Sequence, residues 1–305
     1  MEPLRAVVFI DGNNFRNNLQ AFKFYSSDRN SPWHRRGYFL DEKCFNWKKF
    51  FQDMLVKYRE ETGYDYRLVR VYWYNAATIR PFEPVPAIVD KALAMCQKEF
   101  SWITKPVLFQ QAQSWYLKEK KLFDATKEKA HREIQSEYNF IQFKYVGEYV
   151  VKPFEAYFFD YQIDSDGDGI FIYQGVEEGE KGVDVGISVD MISKMVNYDV
   201  AILITGDADF IPAVNHLREN LKYVYQFSIA QGIPPNVRYL SPFLKDVIDV
   251  YQRYDELELL GKYLKRQTVP ASVLIDIDKR IRQLQSLMPR PHPASLPIPI
   301  VPPVQ

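Results

Sequence analysis

Two stretches of the chain are apolar without a break, and both run into acid. Residues 6–10 read AVVFI and residues 200–205 read VAILIT. A strand with one wet face alternates apolar and polar side chains, whereas a strand covered on both faces reads as a continuous run. Each run is followed by helical spacing. Phe15, Leu19 and Phe22 follow the first, with Asn13 available as an N-cap, and Phe210, Val214 and Leu217 follow the second. YRLVRVYWYN (66–75) predicts a third strand, preceded by an amphipathic stretch near 44–61. Residues 222–227 predict a fourth strand and 140–150 a fifth. Strand alternating with helix predicts an α/β fold with a doubly wound sheet.

The middle of the chain is enlarged. Residues 86–137 are expected to be mostly helical, and 156–175 to form two aromatic strands around an Asp/Gly turn. Asp164, Asp166, Asp168 and Gly169 imitate the start of a calcium loop, but Gly175 stands where the bidentate glutamate belongs, so a hairpin turn is the expectation. Residues 243–287 carry weaker helical patterns, and the proline-rich 288–305 can form neither helix nor ladder. The expected division is a domain over 1–250 with an insertion at about 86–175, a helical extension over 251–287 and a disordered tail.

Composition narrows the partners. The net charge is zero, 39 basic against 39 acidic residues, so no global field draws a polyanion to the chain. The basic residues of KEKKLFDATKEKAHR (118–132) are interleaved with acids, as on a solvated helix face. Trp115 and Tyr116 could stack bases, although most aromatics in such a chain are core. Cys44 and Cys96 are far apart and form no metal-binding pair. With no signal-like or membrane-spanning run, a soluble cytoplasmic protein is expected.

The candidate chemistry lies where strands end. In open α/β sheets, sites form outside the carboxyl ends of strands. Asp11 leaves one predicted strand, and Asp207 and Asp209 leave another. If those strands are neighbours, the three carboxylates converge. They would then repel one another unless a divalent cation sat between them, and oxygen ligands suit Mg²⁺ or Mn²⁺. Each acid alone also reads as an ordinary helix cap. A third segment, EKGVDVGISVDMISKM (180–195), places Val185, Val189, Ile192 and Val196 at helical spacing, with Lys181 and Asp184 at the helix start. Asp190 lies four residues before Lys194, as a surface ion pair would. Neither GxGxxG nor a P-loop is present.

In order along the chain, VVFIDGNNF, KGVDVGISVDM and ILITGDADFIPAV resemble the three signature blocks of the NYN domain, part of the PIN-like nuclease superfamily, and most resemble its LabA-like, DUF88 branch. The resemblance implies a Rossmann-like, mainly parallel sheet with an acidic metal-binding edge and metal-dependent cleavage of phosphodiesters, chiefly in RNA. It assigns the acids to Asp11, Asp184, Asp207 and Asp209, with Asn14 as the amide beside the first. Lys181 matches too, and Asp190 matches a recurrent family acid. Thr205 is placed to touch metal-bound water or phosphate, and Asn13 is a secondary candidate. The expected partner is RNA, single-stranded or structured, with no membrane. A homo-oligomer, or a protein partner held by the proline-rich tail, is a further expectation. The other reading is a non-catalytic RNA-binding or scaffold protein that keeps the fold.

Overall fold

The computed structural model describes residues 2–20, 22–163, 169–232, 236 and 241–287. The proline-rich tail and the Asp164–Asp168 turn lie outside them. Six parallel strands form the central sheet, in the order Val250–Tyr254, Tyr223–Ile229, Val200–Ile204, Leu4–Asp11, Tyr66–Asn75 and Ile141–Tyr145. The continuous apolar runs occupy its centre and serve two cores at once. Ala6, Val8, Ile10, Val200, Ile202 and Ile204 face one core, and Val7, Phe9, Ala201 and Leu203 face the other. The period-2 alternation of a strand divides a uniform apolar sequence between two layers.

The first layer includes the helices Gly12–Gln20, Trp47–Thr62 and Ala271–Leu287. Trp47–Thr62 buries Trp47, Phe50, Phe51, Met54 and Tyr58 along one stripe. Its start is fixed by Asn46, which accepts the Lys49 N–H at 3.1 Å, and its end by Gly63 at φ 78°. The second layer holds Val183–Ser193 and Ile211–Glu219.

Several expectations change. Residues 140–150 form two strands rather than one. Ile141–Tyr145 completes the central sheet, and Glu148–Lys152 joins a smaller sheet between Val176–Lys181 and Thr78–Ile79. Gly147 breaks the run at φ 67°, where a Cβ would stand 2.0 Å from the Lys181 carbonyl oxygen. The expected insertion over 86–175 therefore contributes one central strand. The expected boundary at 250 falls inside another, Val250–Tyr254, whose VYQRY sequence shows no apolar run because it sits at the sheet edge. In the helix Val183–Ser193, the buried residues are Val183, Ile187 and Met191, whereas Val185 and Val189, and Val196 just beyond it, are exposed. Apolar residues lie on every side of the helix, so spacing alone selected the wrong face.

The long helix Lys105–Ala125 lays Trp115 and Tyr116 against Ile79 and Val151 of the smaller sheet. Both aromatics are buried there and neither is free to stack a base. The hairpin pairs Phe158–Ile163 with Gly169–Gln174 antiparallel. Among the described residues, no helix is long and apolar enough to cross a membrane.

Candidate active site

Asp11 is the last residue of its strand, and Thr205 follows the neighbouring one. Ile10 pairs with Ile204, so the two side chains meet, and Thr205 Oγ1 donates to Asp11 Oδ2 at 3.0 Å. The other carboxylate oxygen accepts the Asn14 backbone N–H at 3.0 Å. Asp11, not Asn13, is therefore the cap of the helix Gly12–Gln20: the helix begins directly after the strand and leaves no room for a later cap. Gly12 makes that junction possible. A Cβ on it would stand 2.3 Å from the Tyr74 carbonyl oxygen and 2.5 Å from Asn75 Oδ1.

Asp207 repeats the arrangement one strand over. Its side chain accepts the Asp209 N–H at 3.0 Å and starts the turn Ala208–Phe210, which runs into the helix Ile211–Glu219. The Asp207 N–H donates to Thr205 Oγ1 at 3.3 Å. Thr205 is thus buried between two acids with its hydroxyl proton given to Asp11. Its hydroxyl holds Asp11 and Asp207 in position.

The third segment arrives from the smaller sheet. Lys181 ends the strand Val176–Lys181 rather than opening the helix, because Gly182 turns the chain at φ 81°. The Lys181 ammonium sits 3.5 Å from Glu178. Asp184 lies in the first helical turn, and its helix packs on the first strand and on the Ala208–Phe210 turn. Burial, then the charges of Asp11, Asp207 and Asp209, push the Asp184 carboxyl up to about 6. Burial raises Asp11 as well, with Asp207 adding to it, against the hydrogen bonds from Asn14 and Thr205.

A fifth acid, missed from the sequence, joins the group. Glu180 accepts the Ala76 N–H at 2.8 Å through Oε1, while Oε2 is buried with no hydrogen-bond partner among the described residues. Burial, with Asp11 and Asp184 nearby, pushes its carboxyl up to about 7. The available signal was an acid between Gly179 and Gly182 at the end of a strand. It was hidden because a helix was expected from residue 180.

Asp190 is elsewhere. It accepts the Tyr74 hydroxyl at 2.7 Å and pairs with Lys194, and Lys144 lies 4.0 Å away. Despite its burial, these partners hold it below the usual carboxylate range. The Asn14 amide oxygen accepts from Asn18 at 3.1 Å, beside a small crevice shared with Thr205 and Gly206. Asn13 faces a larger cavity of about 330 Å³ that Glu180 also lines.

The family model of the NYN domain matches residues 116–243. Over that stretch the chain is similar to an NYN domain. The matched stretch includes Lys181, Asp184, Asp207 and Asp209, whereas the strand bearing Asp11 and Asn14 precedes it. NYN domains belong to the PIN-like nuclease superfamily, whose members generally hydrolyse nucleic acid, typically RNA, with divalent metals. The six-stranded parallel sheet flanked by helices agrees with that fold. A solved structure of a protein of unknown function from Vibrio parahaemolyticus aligns with 84% of this chain and 98% of its own, at 16% identity and a TM-score of 0.39. That likeness is too low to carry an argument. No curated protein matches the chain.

Proposed function

We propose that the protein is a metal-dependent ribonuclease of the LabA-like, DUF88 branch, with Asp11, Asp184, Asp207 and Asp209 holding Mg²⁺ or Mn²⁺ and Asn14 beside them. One observation carries the reading: acids from two strand ends and one helix start meet at a single sheet edge, where burial and then the charges of Asp11, Asp207 and Asp209 push the Asp184 carboxyl up to about 6. Structural acids are normally paired, and crowded unpaired ones mark a place built for a cation or a reaction.

The donor set fits a hard divalent ion, since every donor is oxygen. Among the described residues, no three His, Cys, Asp or Glu side chains are close enough to share one ion directly. An ion here would therefore keep part of its water shell, which suits Mg²⁺, an ion commonly held by only one or two carboxylates. A divalent cation at such a site supplies charge that activates water and neutralises phosphate oxygens. The chain's own part is positioning. Asn14 and Thr205 fix both oxygens of Asp11, and the Asp209 N–H fixes Asp207. Glu180 can take up or release a proton near neutrality at its buried carboxyl. Hydrolysis adds the water oxygen to phosphorus and breaks one P–O bond, with the departing oxygen taking a proton.

The alternative is a non-catalytic RNA-binding or scaffold protein. It draws on the lack of a ready three-acid shell among the described residues and on the capping duties of Asp11 and Asp207. Asp207→Asn separates the two, because it keeps the cap but removes a charge. The ribonuclease reading expects Mn²⁺-dependent cleavage of RNA to fall by about a hundredfold or more, with melting temperature unchanged or raised. Cleavage that survives both Asp207→Asn and Asp11→Asn would sink it. Wild-type protein inert on every RNA and DNA tested with Mg²⁺ or Mn²⁺ would favour the scaffold.

A further inference from the structure

The cavity beside the acidic edge exists because two central strands run on into the smaller sheet. Tyr66–Asn75 leads to Thr78–Ile79, and Ile141–Tyr145 leads to Glu148–Lys152. The smaller sheet and the helical segment around Thr126 thereby stand over the carboxyl edge and enclose about 330 Å³ against the helix Gly12–Gln20. That volume suits one small organic group.

Its lining selects the occupant. Phe123 and Tyr149 form an aromatic wall, their rings nearly parallel with centroids 6.0 Å apart. Asn13 and Asn17 bring amides to the opposite side. Of the two strong cations in the lining, only Arg16 is paired with a carboxylate. Arg16 Nε pairs with Glu42 at 2.7 Å, and Lys127 Nζ donates to the Ala77 carbonyl at 3.0 Å. The carboxylates of Glu119, Glu177 and Glu180 also line the space. A phosphate would meet three acids against the single ammonium of Lys127 that no carboxylate pairs among these lining groups. A planar, uncharged group with N–H donors meets an aromatic wall, amides, and the carboxylates of Glu119 and Glu177 as acceptors. Nucleobases have this chemistry: they stack on aromatics and are read at their edges by hydrogen bonds, and each of the four RNA bases carries at least one N–H donor.

We propose that this cavity receives one base of an RNA strand whose backbone passes the acidic edge, stacked on the aromatic wall with a lining carboxylate, Glu119 or Glu177, accepting an N–H from the base. The proposal rests on the ribonuclease reading for the placement of the strand, but it concerns binding and not cleavage. It assigns the enlarged middle of the chain a task, that of holding a base next to the acids.

The test is anisotropy of a labelled eight-nucleotide RNA in EDTA, using the full chain. One probe is built entirely of stable abasic ribose units, and the other restores a single base at its centre. The restored base is expected to tighten binding about tenfold, in line with the usual worth of one stacked base. Because the lone base can slide into the cavity from any register, no alignment is assumed. Leu122→Trp and Thr126→Trp change residues at the cavity wall. Both should erase the gain from the base while leaving affinity for the abasic strand unchanged. Equal affinity for the two probes, or a gain that survives both tryptophan variants, would overturn the proposal. A wild-type protein that shows the gain and never cleaves refutes the ribonuclease reading alone. One that cleaves RNA yet binds both probes equally refutes the base pocket alone.

Discussion

Glu42 and Asp11 are both buried carboxylates against the helix Gly12–Gln20, and their surroundings act on them in opposite ways. Burial pushes Glu42 up, but Arg16, 2.7 Å away, more than reverses this and holds it below the ordinary carboxylate range. Asp11 has hydrogen bonds but no cation partner among the described residues, and burial leaves it raised. Arg16 is itself fixed on three sides, by Glu42, by Asn75 Oδ1 at 3.3 Å and by His131 Nε2 at 3.3 Å. Arginine can only donate, so His131 Nε2 accepts, and the imidazole proton sits on Nδ1 toward the Tyr145 hydroxyl, 3.1 Å away. Burial and Arg16 push His131 down to about 4, so this ring is neutral at physiological pH. The Glu42 cluster is charge-balanced from within, whereas the Asp11 cluster is left short of positive charge. A self-contained ion network holds parts of the fold together, and an unbalanced one is available to something from outside.

The largest effect expected from breaking this contrast is on the balanced side. Arg16→Met leaves Glu42 buried without its partner and should cost about 3–5 kcal/mol in chemical denaturation. Arg16→Met with Glu42→Leu should recover most of that loss. A single variant as stable as wild type would show that the pair does not carry the charge balance assigned to it.

On the unbalanced side, Thr205→Val removes the hydroxyl that holds Asp11 Oδ2. A loss of about 1–3 kcal/mol is expected at neutral pH, because a buried carboxylate oxygen is left without its donor. The loss should shrink in acid, where Asp11 takes a proton. Urea titrations at pH 8 measure the loss, and a variant as stable as wild type there would contradict the role given to Thr205.

The smallest effect has a definite sign. Asp184 is raised from 3.8 to about 6 in the folded chain, so between those values the folded state holds a proton that the unfolded state has released. This group's contribution to stability is therefore fully present below its unfolded value and is lost as pH rises through its folded value. Asp184→Asn should melt at the same temperature as wild type near pH 4 and slightly higher above pH 6. Millimolar Mg²⁺ or Mn²⁺ should raise the wild-type melting temperature at pH 8 more than at pH 5, because protons compete for the same oxygens, and should raise that of Asp184→Asn less. A variant less stable than wild type at pH 8 without metal would mean that Asp184 is held by attraction rather than crowded by repulsion.

Local order settled much of this molecule. Uninterrupted apolar runs at 6–10 and 200–205 fixed two inner strands, because only a doubly covered strand tolerates such a run. Asp-Gly at one strand end and Asp-Ala-Asp at another marked the turns that cap the next helices, and the three sequence blocks together pointed to the NYN domain. The structure decided what depends on distant neighbours. Spacing within 180–196 could not show which face of a helix with apolar residues on every side is covered, since the first strand that covers it lies some 180 residues earlier. Val250–Tyr254 could not be read as a strand, because at a sheet edge backbone pairing replaces the apolar run. Glu180 became a member of the acidic group only when the smaller sheet carried it onto the Ala76 N–H. The Arg16–Glu42 pair left no mark in the sequence at all. Two charges 26 positions apart attract strongly only once both have been removed from water, and that removal is the work of the assembled core.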